Sequence, residues 1–281
     1  MKIKKVLNNN TALILDEDGQ DAVVMGLGIA FKKKVGDDLD ETKIERVFKL
    51  ESKAISNRLM TLMREIPPEV LRVSEKIVSL AEKELKKQLN ANIFLTLTDH
   101  IHFTLERYRQ GYQLENPLKW EIQRFYPTEY QIGLAALQIV ETNFDLTLKK
   151  DEAASITMHI VNAELDLDIS SITDMTHLIQ ESLNVIKYYF KMDFDEESLN
   201  YQRFLTHLKF FAQRVAKKAQ YQVADDQLYQ MVSITYPEAF ICAEKIKYFV
   251  EKKYHYVVSN EELTYLTIHI QRITTRNDSG L

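Results

Sequence analysis

The chain has 281 residues, 45% hydrophobic and 27% charged, with a net charge of −5. That balance belongs to folded domains rather than disorder, and the acidic excess argues against nonspecific nucleic-acid binding by the whole molecule. Only seven glycines and five prolines occur, which favours helices over a many-turned all-β protein, in about two domains with a small third.

Residues 1–50 differ from the rest. Short β-favouring runs (KIKKVL, TALIL, DAVVM, IAFKK and ERVFKL) alternate with the turn signals NNN, DEDGQ, GLG and VGDD. Four or five strands are expected, with Asp18-Gly19 as the hairpin turn between 11–15 and 22–25. A sheet this thin has a marginal core, so a second copy of the module is its simplest partner. The head carries nine Lys/Arg and nine Asp/Glu. Its cations gather at Lys2, Lys4, Lys5 and Lys32 to Lys34, while its acids sit mainly in 16–21 and 37–41. The stretch VVMGLGIAFKKK therefore reads either as a turn with a solvated strand end or as part of a basic binding surface. Phe31 within it is open to two readings, an exposed stacking ring or a core side chain.

From about residue 51 the period becomes helical. Residues 56–66 read as a linker, and Pro67-Pro68 opens a helix whose apolar face holds Val70, Val73, Ile77, Leu80, Ala81 and Leu85. The helical part then repeats itself. LTLTDHIHFTLER (95–107) matches YQRFLTHLKFFAQR (201–214) with His100 on His207, and DEAASITMHIV (151–161) matches NEELTYLTIHIQ (260–271) with His159 on His269. Two all-helical domains follow, 67–170 and 171–281.

Each repeat thus carries a histidine pair about 60 residues apart, His100 with His159 and His207 with His269. Duplication alone offers a structural explanation, a core histidine copied with its domain. Metal ligation usually wants a third ligand, and the histidines of HIH at 100–102 point to nearly opposite sides of a helix. Acid–base catalysis wants a cleft and a nucleophile or carboxylate dyad, and no nucleophile motif is found, so neither a catalytic residue nor a cofactor is expected. Reversible phosphorylation fits better: neutral imidazole is a competent nucleophile near pH 7, and the added charge remodels a helical interface. Asp99 is placed to influence the tautomer of His100, although the matched residue before His207 is Thr206. The single cysteine, Cys242, excludes an internal disulfide and a Cys-rich zinc site, and fits a reducing compartment. No apolar run approaches the ~18 residues of a membrane span, and no signal-peptide core follows MKIKKVLNNN. A cytoplasmic protein without membrane insertion is expected.

The head MKIKKVLNNN…VVMGLGIAFKKKVGDD…IERVF, followed by TDHI, MHIVNAE, THLKFF and TIHI in duplicated helical domains, resembles the BglG/LicT-type transcriptional antiterminators. The resemblance spans nearly the whole chain. It implies a small all-β RNA-binding domain (1–55) that forms a homodimer of antiparallel sheets, followed by two homologous all-α PTS-regulation domains (PRDs). Such a dimer holds a hairpin in a leader mRNA and so prevents an overlapping terminator from forming. The resemblance also implies histidine phosphorylation by the sugar phosphotransferase system. The sugar permease, through its EIIB part, would inactivate through the first PRD, and HPr would activate through the second. The family's phosphorylated histidines fall on His100, His159, His207 and His269, leaving His102, His177 and His255 structural. Its RNA-contacting residues fall on Lys5, Asn10, Gly26 and Phe31. Leu27 departs from the pattern, since the family often has arginine there. A PRD-containing DNA-binding activator and a histidine phosphocarrier are the alternatives. The first would need a helix-turn-helix head, for which 1–50 lacks the periodicity.

Overall fold

The computed structural model describes residues 1–16, 19, 21–49, 65–219 and 226–275. Met1–Pro117 with Tyr126–Asp166 form one compact unit, and Leu118–Phe125 with the chain from Leu167 onward form a second.

The head is a four-stranded antiparallel sheet in the order β1 (Ile3–Asn8), β2 (Thr11–Leu15), β3 (Asp21–Met25) and β4 (Arg46–Lys49). β1 turns into β2 through Asn9 and Asn10, and the Asn8 side chain accepts from the Asn10 amide at 2.8 Å. β2 pairs with β3 from Thr11↔Met25 to Leu15↔Asp21, as the hairpin signal predicts. Gly19, at φ +74°, lies in the connecting turn, and Asp18 lies outside the described residues. Alternation along the strands sends Ile3, Ala12, Ile14, Ala22 and Val24 to one face, where Ile29, Ala30 and Leu39 close over them. A sheet stands where a DNA-binding activator would carry helices.

The run IAFKK is not a strand. Ile29, Phe31 and Lys33 donate their backbone N–H to Gly26, Gly28 and Ala30 respectively, so residues 26–33 wind as successive tight turns. Gly28 (φ +65°) and Lys32 (φ 57°) lie in the left-handed region, which no strand tolerates. The hydrophobic Ile29-Ala30 pair that suggests β structure is instead the plug over the sheet, 1% and 2% exposed.

Ten helices follow among the described residues. They are α1 (Pro68–Leu85), α2 (Asn92–Arg109), α3 (Lys119–Phe125), α4 (Pro127–Phe144), α5 (Lys150–Leu165), α6 (Ile169–Phe190), α7 (Leu199–Lys217), α8 (Asp226–Thr235), α9 (Pro237–Tyr254) and α10 (Asn260–Thr274). Most of the linker expected at 56–66 lies outside the described residues. α1 buries Val70, Val73, Ile77 and Ala81 together with Leu71, Ser74 and Val78, close to the predicted face.

The duplication extends to cap geometry. Tyr126 (φ −128°, ψ 56°) precedes Pro127 at the start of α4, and Tyr236 (φ −127°, ψ 59°) precedes Pro237 at the start of α9. α4 packs on α5 as α9 packs on α10, and α2 meets α5 as α7 meets α10. α4 and α5 approach closely because residue 133 is glycine. A Cβ there would lie 2.3 Å from Thr157 Oγ1 and 2.5 Å from the Ala153 carbonyl oxygen.

One short helix departs from the sequence order. α3 lies between α2 and α4, yet it belongs to the second unit and packs on α6. Its Ile122 and Phe125 are buried there, and Arg124 donates to Tyr201 Oη at 2.6 Å and pairs with Glu196 at 2.7 Å.

Candidate histidine pairs and nucleic-acid interface

The helix pairs α2/α5 and α7/α10 bring the distant histidines together. The rings of His100 and His159 lie 4.9 Å apart between centroids, and those of His207 and His269 lie 4.2 Å apart. In each pair one ring is buried, His159 at 6% exposure and His269 at 7%. Its partner is more accessible, half-buried for His100 and exposed for His207. Burial, then the neighbouring His100, pull the pKa of His159 down to about 3. Burial, then His207 and Arg272, pull that of His269 down to about 4. Both buried imidazoles are therefore neutral at ordinary pH, each keeping a ring nitrogen lone pair. His159 Nδ1 also lies 3.3 Å from Thr96 Oγ1.

The carboxylate that reaches His100 belongs to Glu152, not to the adjacent Asp99. His100 Nε2 lies 3.0 Å from Glu152 Oε2, which also accepts from Thr104 Oγ1 at 3.1 Å. Arg107 stands 3.6 Å from the other oxygen, Glu152 Oε1. Burial pushes the Glu152 carboxyl up, but the hydrogen bond and charge of His100, with Thr104 and Arg107, outweigh it and hold the pKa below the ordinary value.

The second repeat holds the matching residues, Arg214 and Glu262. Arg214 Nε donates to Glu262 Oε1 at 3.0 Å, and the Tyr256 hydroxyl is shared between the same oxygen at 3.0 Å and the Ala219 carbonyl oxygen at 2.9 Å. The sequence reading missed this arginine–glutamate pair. Its signal was present, because Arg107 and Arg214 are spaced as His100 and His207 are, and Glu152 and Glu262 as His159 and His269 are.

The remaining histidines stand apart from both pairs. His102 lies 3.6 Å from Glu106 one turn along α2, His177 is exposed on α6, and His255 is the left-handed C-cap of α9. Among the described residues no group of three or more His, Cys, Asp or Glu side chains is arranged to hold a metal ion. Cys242 is buried, and that burial pushes its thiol up to about 12.

At the other end of the chain, the 26–33 turns present Leu27 and Phe31, 62% and 55% exposed. Phe31 is not a core residue, and Lys32 Nζ stands 5.3 Å from its ring centroid. Lys5 is exposed on β1, whose neighbouring Lys4 pairs with Asp21 at 2.6 Å. Asn10 and Gly26 build the turn itself. Asn10 Oδ1 accepts from the Gly28 amide at 2.7 Å, and the Asn10 carbonyl accepts from the Gly26 amide at 3.0 Å. Gly26 is buried, and a Cβ on it would lie 1.7 Å from the Lys43 carbonyl oxygen. Glycine at 26 is thus required by backbone approach within the protein.

The CAT RNA binding domain family matches residues 1–57, and the PRD domain family matches 75–163 and 180–273. The chain is 46% identical to transcription antiterminator LicT of Bacillus subtilis (strain 168) over 97% of this chain and 99% of that protein. The chain belongs to the BglG/LicT-type transcription antiterminators. A second relative of this antiterminator, the beta-glucoside operon antiterminator of Dickeya chrysanthemi, is 41% identical over 97% of this chain and 96% of its own. The crystal structure of GlcT CAT-PRDI matches with a TM-score of 0.53 at 30% identity, covering 58% of this chain and 96% of that one. The antiterminator thus has a β-structured CAT head and two all-α PRDs, and the relatives are regulators. Among the described residues no helix is long and apolar enough to cross a membrane.

Proposed function

We propose that this antiterminator acts in the cytoplasm as a homodimer on the leader mRNA of a β-glucoside utilisation operon, holding a hairpin that excludes the terminator. Residues 1–55 form the RNA-binding domain and 56–66 the linker. Residues 67–170 and 171–281 form the two regulatory domains. The RNA contacts are Lys5, Asn10, Gly26 and Phe31. Phe31 stacks on an unpaired loop base, Lys5 attracts phosphate, Asn10 donates through its side-chain amide, and Gly26 lets RNA approach the backbone. The exposure of Phe31 supports the first role. The hydrogen-bonded positions of Asn10 and Gly26 give both a scaffolding share as well.

His100, His159, His207 and His269 accept phosphate from the phosphotransferase system. The EIIB part of a sugar-specific permease acts on the first domain to inactivate, and HPr acts on the second to activate. No catalysis of the protein's own is involved. The observation that carries the regulatory half is the repeated pairing of one buried, neutral imidazole with one accessible imidazole in each domain. A neutral ring beside an accessible one is chemically ready to accept phosphate and placed to pass the added charge into the helix packing.

The test is a gel shift of the full chain with a leader hairpin overlapping a terminator, paired with single-round transcription. Salt-sensitive retardation together with read-through is expected. Failure to bind any such hairpin would remove the reading.

A further inference from the structure

The two repeats hold the same four side chains, two histidines, an arginine and a glutamate, but join them differently. In the first, the carboxylate of Glu152 closes onto His100. In the second, the carboxylate of Glu262 is drawn to the far end, onto Arg214 and Tyr256. This leaves an open cavity of about 200 Å³ lined by His207, His269, Arg214, Glu262, Tyr265 and Phe204, among others. The ~30 Å³ share of one liquid water sets the scale: the cavity has room for a phosphoryl group and some hydration.

We propose that this cavity is a prebuilt receiving site for a phosphoryl group on His207 or His269, with Arg214 as the positioning residue that neutralises it. The inference rests on the histidine-phosphorylation reading above and goes beyond it by assigning the anion's counter-ion. The geometry lets Glu262 release Arg214 without being stranded. Glu262 is 1% exposed and would be costly to strand. It keeps Tyr256 Oη on one oxygen at 3.0 Å and the Ser259 amide and hydroxyl on the other at 3.2 and 3.4 Å. The guanidinium can therefore turn to an incoming dianion without leaving a bare buried carboxylate. Glu152 has a thinner cushion, because His100 is itself one of its partners and only the Thr104 hydroxyl is left beside Arg107. The arginine offers what phosphate recognition needs, a planar fork of charged donors.

In the transfer, a ring nitrogen lone pair of the acceptor histidine forms the new N–P bond as the donor's N–P bond breaks. The proton on the acceptor's other ring nitrogen is released, and the departing nitrogen takes one up. Charge and protons balance, with no further reagent.

The full chain, treated with phosphoramidate as the donor, tests the site. Tandem mass spectrometry counts phosphate on each histidine, and phosphorus NMR follows the second ionisation of the bound group with pH. Arg214→Gln is expected to slow phosphate uptake in the second repeat at least tenfold and to raise that ionisation, with the first repeat unchanged. Arg214→Lys is expected to restore part of both. The double variant Arg214→Gln/Glu262→Gln removes the pair together, so any unfolding from a stranded carboxylate is avoided, and it should show the same deficit. Wild-type rate and ionisation in Arg214→Gln would overturn the proposal, as would equal loss in both repeats. Absence of phosphate from all four histidines of the unaltered chain would instead remove the phosphorylation reading, and this site with it.

Discussion

Phe31 is 55% exposed on a turn held by hydrogen bonds to Asn10, Gly26 and Gly28, so its ring can be removed without disturbing the sheet. Phe31→Ala is expected to weaken hairpin retention by roughly 5- to 160-fold, the worth of one stacked base. The melting temperature should hold, and calorimetry of the same sample checks it. The buried histidines make a separate prediction. His159 and His269 fall from the ordinary 6.5 to about 3 and about 4, so protons bind the unfolded chain first. The stability they contribute is complete above pH 6.5. It is lost as the pH falls toward those lower values, at ~1.4 kcal/mol per pH unit for each histidine. Melting scans from pH 7.5 to 5 should show the loss, and His159→Gln should reduce it. At this scale the sequence was only partly legible. Duplication made the four histidines stand out, because it repeats them at matched places. The partner of His100 was not readable, since Glu152 is 52 residues away and only the α2/α5 packing delivers it. Sequence proximity favoured Asp99 instead.

Among the elements, the tight crossing of α4 and α5 rests on the missing side chain at residue 133. Gly133→Ala should force a methyl against Thr157 Oγ1 and the Ala153 carbonyl, destabilising by about 1–3 kcal/mol as overpacking does. Denaturant unfolding should show it, with a smaller cost in Gly133→Ala/Thr157→Ala, where the hydroxyl is gone but the backbone contact stays. The strands β1 to β4 and the start of α1 were readable from alternation and from Pro-Pro. The 26–33 turns were not. Ile29 and Ala30 carry a strand-like apolar pair, but two left-handed residues flank them, and burial over the sheet, not pairing within it, uses their hydrophobicity. Short apolar runs cannot distinguish these two fates by pattern alone.

For the whole molecule, the proposed regulation through the two domains implies opposite outcomes from similar charge changes. Aspartate at His207 or His269 is expected to favour the active dimer, and aspartate at His100 or His159 the inactive form. Sedimentation and read-through assays on the four variants would check this, and equal effects from both domains would contradict the assignment. The two-PRD organisation was legible because the repeats align over long stretches. The allegiance of α3 was not, because a seven-residue helix carries too little periodicity to declare which partner it packs against.

That allegiance governs how the protein can be dissected. A chain cut at residue 170 ends at what the sequence presents as a natural seam, yet it retains α3 and discards α6 and Tyr201. Phe125 and Ile122, 0% and 1% exposed in the intact protein, would lose the helix they pack on, and Arg124 would lose both Tyr201 and Glu196. Deletion mapping of the first PRD alone would therefore partly report on a newly bared apolar surface, and self-association of such a fragment would be no measure of how the intact chain associates.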